Sequence, residues 1–374
     1  MALAIAIGLP APAWANTGSR PDVGDPSALI EKIAPDIATE TVAVVEPPEV
    51  QDSERAEPSL VIPATADEPV KLAPPESEGA GQALSVEIVE AQGNATVANG
   101  ITVFEGTSDS SVAYVQPTMN GVRFLTAVED ADAGNTFSYT LDIAPGSQLV
   151  DIPGGFTILV DPNGRYIATL DAAWAKDSNG KELPTRYELV GDVLTQHVEY
   201  PTGTMFPVLL DPAWTYAYDF YAGLGGPAYS VTYPKGKDWR VANLLNTCFS
   251  CYFPIAGASQ GFPADGAILN LNASPFSLIN VPAPVRKSTV NQGAMQFLAL
   301  EGHFDGAGSK ITFSWYNDAS GYLHLYVYAY VVKDNGAVAN EANRLVAGAN
   351  WLTFWRNVAN NVGDPGGGGG GGGA

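Results

Sequence analysis

The sequence predicts a multidomain chain: an all-β sandwich followed by an α+β domain, in which an antiparallel sheet carries a long C-terminal helix. Three observations predict it. Over residues 310–316, Ile311, Phe313 and Trp315 alternate with Lys310, Thr312, Ser314 and Tyr316, the period of a half-buried strand. A five-residue loop, 317–321, leads into YLHLYVYAYVV. Paired as a hairpin, Tyr316 faces Tyr322, Ser314 faces His324 and Thr312 faces Tyr326, while Trp315, Phe313 and Ile311 meet Leu323, Leu325 and Val327. Both strands then agree on which side is core. Second, residues 83–212 hold several short alternating runs separated by turn signals, the pattern of a sandwich. Third, Ala347, Trp351, Phe354, Val358 and Val362 recur three or four apart within 338–362, one face of a helix roughly 36 Å long.

In chain order, the start MALAIAIGLPAPAWANTG reads as a signal peptide over 1–15, its apolar run ending in Ala13-Trp14-Ala15. The run is too short for a membrane span, and no later run is long enough. Export to a secreted or cell-surface location is the expectation. Residues 16–82 are rich in Pro, Ala, Glu and Asp with few aromatics, which reads as a disordered, self-repelling acidic spacer. It is either a tether or a propeptide or passive tail. The net charge of −22 is concentrated before residue 213 and fits solubility; no basic stripe points to nucleic acid.

Within the sandwich, Phe137, Tyr139, Leu141 and Ile143 alternate with polar residues, FTILV and RYIATL flank Asp161-Pro162-Asn163-Gly164, and RYELV and VLTQHV flank Gly191-Asp192. These are hairpin signals. The α+β unit, 213–363, opens with WTYAYDFY, and DWRVANLLNTCFSCYF reads as a helix capped by Asp238. Short strands are expected at 285–290 and 294–300. The chain closes in a Gly-rich tail over 364–374.

Candidate chemistry is sparse. His303 and Asp305 lie in EGHFDGAGS beside Ser309, a set that suggests a hydrolase if the three converge; adjacency in sequence rarely gives that geometry, and the glycines are what a hairpin loop needs. Tyr322, His324, Tyr326, Tyr328 and Tyr330 share one face of the second hairpin strand. Such a row suits a sugar, a peptide or a second sheet. Cys248 and Cys251 form C-x-x-C, read as a local disulfide, with a redox pair as the other option. Zinc would need more ligands, Glu129-Asp130-Asp132 reads as a solvated loop, and His197 has no visible partner. No metal or cofactor is expected.

Two resemblances add to this. DAAWAKDSNGKELPTRYEL and YPTGTMFPVLLDPAW resemble a recurrent module of actinobacterial exported proteins, closed by a strand ending at an aspartate-proline step. The order of helix, meander and long C-terminal helix, with the run LALEGHFDGAGSKITFSW, resembles the helix-grip fold of the START and polyketide-cyclase-like superfamily. That fold implies a cavity between sheet and helix for an apolar ligand. Phe313, Trp315, Leu325, Trp351 and Phe354 would line it, in a non-enzymatic binding protein whose partner is an apolar small molecule or a cell-envelope component. The inner face is aromatic enough to fill such a cavity itself. The alternatives are a cell-surface interaction module using the tyrosine face, or a hydrolase centred on His303 and Asp305.

Overall fold

The computed structural model describes residues 25–38, 40–41, 59–74, 81–118, 120–221, 236–273, 281–289, 293–333 and 337–362. The expected signal segment, the Gly-rich tail and part of the acidic spacer lie outside these residues.

Antiparallel pairing accounts for every described sheet. Sheet I has six strands in the order Ser59–Val61, Val70–Ala73, Leu84–Ile88, Thr136–Leu141, Val193–Val198, Thr185–Val190. Sheet II runs Ala91–Ala98, Ile101–Gly106, Ser111–Thr118, Gly121–Val128, Ala213–Thr215, Tyr166–Leu170, Phe156–Val160, Gln148–Ile152, with Val208–Leu210 and Ala175–Lys176 at its side. Alternation directs Leu84, Val86, Tyr139, Leu141 and Leu194 of sheet I onto Phe104, Val115, Phe124, Ile158 and Trp214 of sheet II, in one shared core. The turn at 161–164 and the two-residue loop Gly191-Asp192 form as expected; Gly164 and Gly191 take φ +78 and +66, where glycine carries no Cβ penalty.

The stretch read as a spacer is partly built structure. α1, Pro26–Ile33, and α2, Pro35–Ala38, lie on the outer face of sheet II. Ser59–Val61 and Val70–Ala73 extend sheet I. The prolines that suggested disorder stand at the first helical position of each short helix, where the missing N–H costs no bond. Asp25 caps α1 by accepting from the Ser27 N–H at 3.0 Å. Ile30, Ile33, Ala34 and Ile37, spaced i, i+3, i+4, i+7, bury against Ile101, Val103, Val112, Tyr114 and Leu125.

Sheet III orders Tyr218–Tyr221, Leu323–Tyr330, Lys310–Asn317, Ala294–Ala299, Pro282–Thr289, Ile268–Asn272. The run WTYAYDFY is therefore shared: Ala213–Thr215 belongs to sheet II and Tyr218–Tyr221 to sheet III, so the turnover comes at Tyr216 and Ala217 rather than at residue 213. Helices α3, Asp238–Thr247, α4, Phe249–Tyr252, and α5, Ala337–Ala359, pack on one face of sheet III. Asp238 is the first residue of α3 rather than its cap; its N–H is taken by Asn317 Oδ1 at 3.0 Å. The long predicted helix breaks at Cys248, which separates α3 from α4 and is bonded to Cys251.

The key hairpin keeps its expected faces with a different register. Tyr316 pairs with His324, Ser314 with Tyr326, Thr312 with Tyr328 and Trp315 with Leu325. Turn chemistry moves the loop one residue on, to 318–322. The Asp318 carboxylate accepts from the Tyr322 N–H at 2.8 Å, and Gly321 sits at φ +83.

Candidate functional site

The layer between sheet III and α5 is the candidate site. Alternation points Met295, Phe297, Phe313, Trp315, Leu325 and Val327 from the sheet, and α5 supplies Trp351, Phe354, Trp355 and Val358, with Val362 just past its end, all buried. Ring centroids lie 4.9 Å apart for Phe313–Trp351 and 5.6 Å for Phe313–Phe354. Phe253, from the end of α4, contacts Phe297, Phe313, Trp351 and Phe354 at 5.5–6.0 Å. The five expected lining residues thus share one layer and pack on each other. Three more members, Phe253, Phe297 and Trp355, escaped the sequence reading. For two of them the signals were the shared face of Met295 and Phe297 and the four-residue step from Trp351 to Trp355; Phe253, beyond the break at Cys248, offered none. The layer holds one polar atom of note: the Trp355 indole N–H is buried and has no hydrogen-bond partner.

The tyrosine row is not a free surface, because sheet II covers it. Tyr316 and Tyr326 are buried in the core of sheets I and II, with Tyr328 against it. Tyr326 Oη and Thr169 Oγ1 lie 2.8 Å apart, and the tilted Phe156 ring sits 5.2 Å from that of Tyr326 and 5.0 Å from that of Tyr328. Asn120 donates to the Ala329 carbonyl at 3.0 Å, and the Ser314 hydroxyl donates to the Pro153 carbonyl. Of the partners such a row suits, a second sheet of the same chain is the one present. Tyr322 is half-buried near the hairpin tip, and Tyr330, 37% exposed, reaches water at the far end.

His324, expected at the surface, is only 1% exposed. Nδ1 lies 2.8 Å from Asp219 Oδ2 and Nε2 3.3 Å from Asp318 Oδ2, and Tyr316 stacks on its ring at 4.8 Å. Burial alone would push this imidazole down, but the two carboxylates, Asp219 first, override it and hold the pKa up at about 9. Both nitrogens are occupied by acids, so the ring is a buried cation rather than a base. Asp219, a lone acid within WTYAYDFY, was the available signal.

The His303, Asp305 and Ser309 set does not converge as a triad. His303 Nδ1 accepts from the Asp305 backbone N–H at 3.1 Å and stands 4.0 Å from its carboxylate. The Ser309 hydroxyl donates to the Asp305 carbonyl at 2.8 Å and accepts from the Val332 N–H at 3.0 Å. Those bonds tie the loop to the strand end and leave no proton path from serine to imidazole. Burial pushes His303 down to about 4 and Asp305 up to about 6. His197 finds Glu188 at 3.0 Å on the neighbouring strand. Asp130 caps a short 3₁₀ turn and accepts from Ser110. Among the described residues no three His, Cys, Asp or Glu side chains gather as a metal site would need, and no helix is long and apolar enough to cross a membrane.

No protein-family profile matches the sequence, and no curated protein matches it. Three solved structures show likeness at low identity. The di-domain ARO/CYC StfQ from the steffimycin biosynthetic pathway is 9% identical, with 76% of this chain and 89% of that one covered and a TM-score of 0.29. The di-domain ARO/CYC BexL from the BE-7585A pathway is 8% identical, with 75% and 88% covered and a TM-score of 0.27. The Bacillus halodurans protein BH1534 is 16% identical, with 33% and 89% covered and a TM-score of 0.24. Scores of this size establish neither a common fold nor a common activity.

Proposed function

We propose that the protein is a non-enzymatic binding protein whose C-terminal unit, a helix-grip-like arrangement, takes an apolar or aromatic ligand between α5 and sheet III. Trp355 carries this reading. A buried indole N–H without a partner costs about 1–3 kcal/mol, and a ligand oxygen reaching it would recover that cost. Phe313, Trp315, Leu325, Trp351 and Phe354 would supply apolar contact, at about 25 cal/mol per Å² removed from water. Because these rings now pack on one another, entry requires α5 to move outward by the thickness of the ligand. Export, a cell-envelope source for the ligand and the sandwich form of residues 83–212 belong to the same proposal, resting on the leading apolar segment and the hairpin pattern. The tyrosine face, covered by sheet II, and Ser309, locked into its loop, support the two alternatives less.

Tryptophan fluorescence of the full chain, titrated with the matched pair 2-naphthol and naphthalene, tests it. Saturable quenching by both is expected, with 2-naphthol preferred and that preference lost in Trp355→Phe. No saturable quenching by either compound up to its solubility would overturn the reading.

A further inference from the structure

The N-terminal segment 25–41 touches the rest of the molecule in an unusual way. It joins no sheet. Beside its apolar contacts, chiefly those of Ile30, Ile33, Ala34 and Ile37, the described residues are held by side chains of the molecule beneath. Gln116, fully buried, donates through Nε2 to the Ile37 carbonyl at 2.9 Å and to Thr41 Oγ1 at 2.9 Å. Arg123, also buried, holds Glu40 Oε2 at 2.8 Å through Nη1, which also donates to Gln116 Oε1 at 3.2 Å. Lys176 pairs with Asp36 at 3.1 Å, and Asn99 donates to Asp25 at 2.8 Å. A buried amide that reads a main-chain carbonyl, and a buried guanidinium that reads a carboxylate beside an apolar sheet face, together recognise a peptide helix followed by an acid.

Arg123 also has a second carboxylate. Asp211 Oδ2 faces its Nε at 4.0 Å, and neither atom has a hydrogen-bond partner. One acid lies on the docked segment and the other on the link between Val208–Leu210 and Ala213–Thr215, so the guanidinium has a partner whether the segment is present or not. Release would let Arg123 close on Asp211, and no buried charge would be left alone. Every strand pairing of sheets I and II would survive, because the segment contributes none.

We propose that the outer face of sheet II, floored by Ile101, Val103, Val112, Tyr114 and Leu125 and read by Gln116 and Arg123, is a peptide-helix site, and that residues 25–41 are its detachable occupant. The ligand class is an amphipathic helix with apolar residues at i, i+3 and i+7 and an acid three residues beyond the last. Docked in cis, the segment keeps the site closed.

Hydrogen exchange on the full chain tests detachment without any substitution. Amides of α1 are expected to exchange faster than those of Ile101–Gly106 and Gly121–Val128 by at least about tenfold. Exchange of all three at one common rate would overturn the proposal. A labelled synthetic peptide of residues 25–41 tests the groove itself. It is expected to bind full chain carrying Ile33→Asp, whose own segment is loosened, and to bind at least about tenfold more weakly when Arg123→Gln is added. Absence of peptide binding by an Ile33→Asp chain whose sheet amides remain protected would overturn it as well. So would binding unaffected by Arg123→Gln.

Discussion

Alkali should loosen sheet III at His324. Its imidazole is clamped between Asp219 and Asp318, which hold its pKa at about 9 against 6.5 when free. A cation whose folded-state pKa lies above the unfolded value contributes fully below pH 6.5, and the contribution is lost as pH rises through about 9. The difference of about 2.5 units corresponds to roughly 3 kcal/mol at about 1.36 kcal/mol per unit. The perturbation is His324→Gln, which keeps a hydrogen-bonding side chain and removes the charge. Urea unfolding of both proteins at pH 6, 7.5 and 10 gives the stability gap, with titrating groups away from the Asp219–His324–Asp318 clamp cancelling between them. The gap should shrink by about 3 kcal/mol from pH 6 to pH 10. Imidazole ¹⁵N shifts of the folded protein should show a ring still protonated at pH 8. A gap independent of pH, or a ring that deprotonates below pH 7, would refute this account of His324.

Three further outcomes follow from packing. Phe313→Ala, in the fully buried aromatic layer, should cost about 3–5 kcal/mol in denaturant unfolding. Tyr326→Phe removes the bond to Thr169 between sheets III and II and should cost about 1 kcal/mol, read the same way. Replacing Cys248 and Cys251 together by serine opens a bridge with a sequence separation of only 3, so the folded state should survive with a loss of about 2 kcal/mol or less.

How much of this could be read in the sequence depends on the range of the deciding interaction. The faces of the 310–330 hairpin were legible because the period of two is local and both strands carry it. The register was not, since any even slide preserves the faces; the Asp318 carboxylate and the positive φ of Gly321 decide it. The α5 face was legible for the same reason of period. The tyrosine row announced an aromatic surface but not its cover, because Phe156 and Thr169 lie more than 150 residues away in the chain. Composition misread residues 26–38 and 59–73. There, prolines at helix starts and a charged surround hid four apolar side chains at helical spacing. The aromatic layer itself was foreseen from five residues. That these rings are numerous enough to fill the layer was legible too; which of them touch was not, since that depends on side chains from five separate segments.

The proposed binding function meets its most direct test in what the protein carries when isolated. Full-length chain purified under native conditions and then denatured should release an apolar or aromatic small molecule in near-stoichiometric amount, detected by mass spectrometry. Trp355→Phe, purified in parallel, should release markedly less. An extract from folded wild-type protein with nothing above the mock purification, or equal amounts from both proteins, would contradict the binding role assigned to the layer under α5.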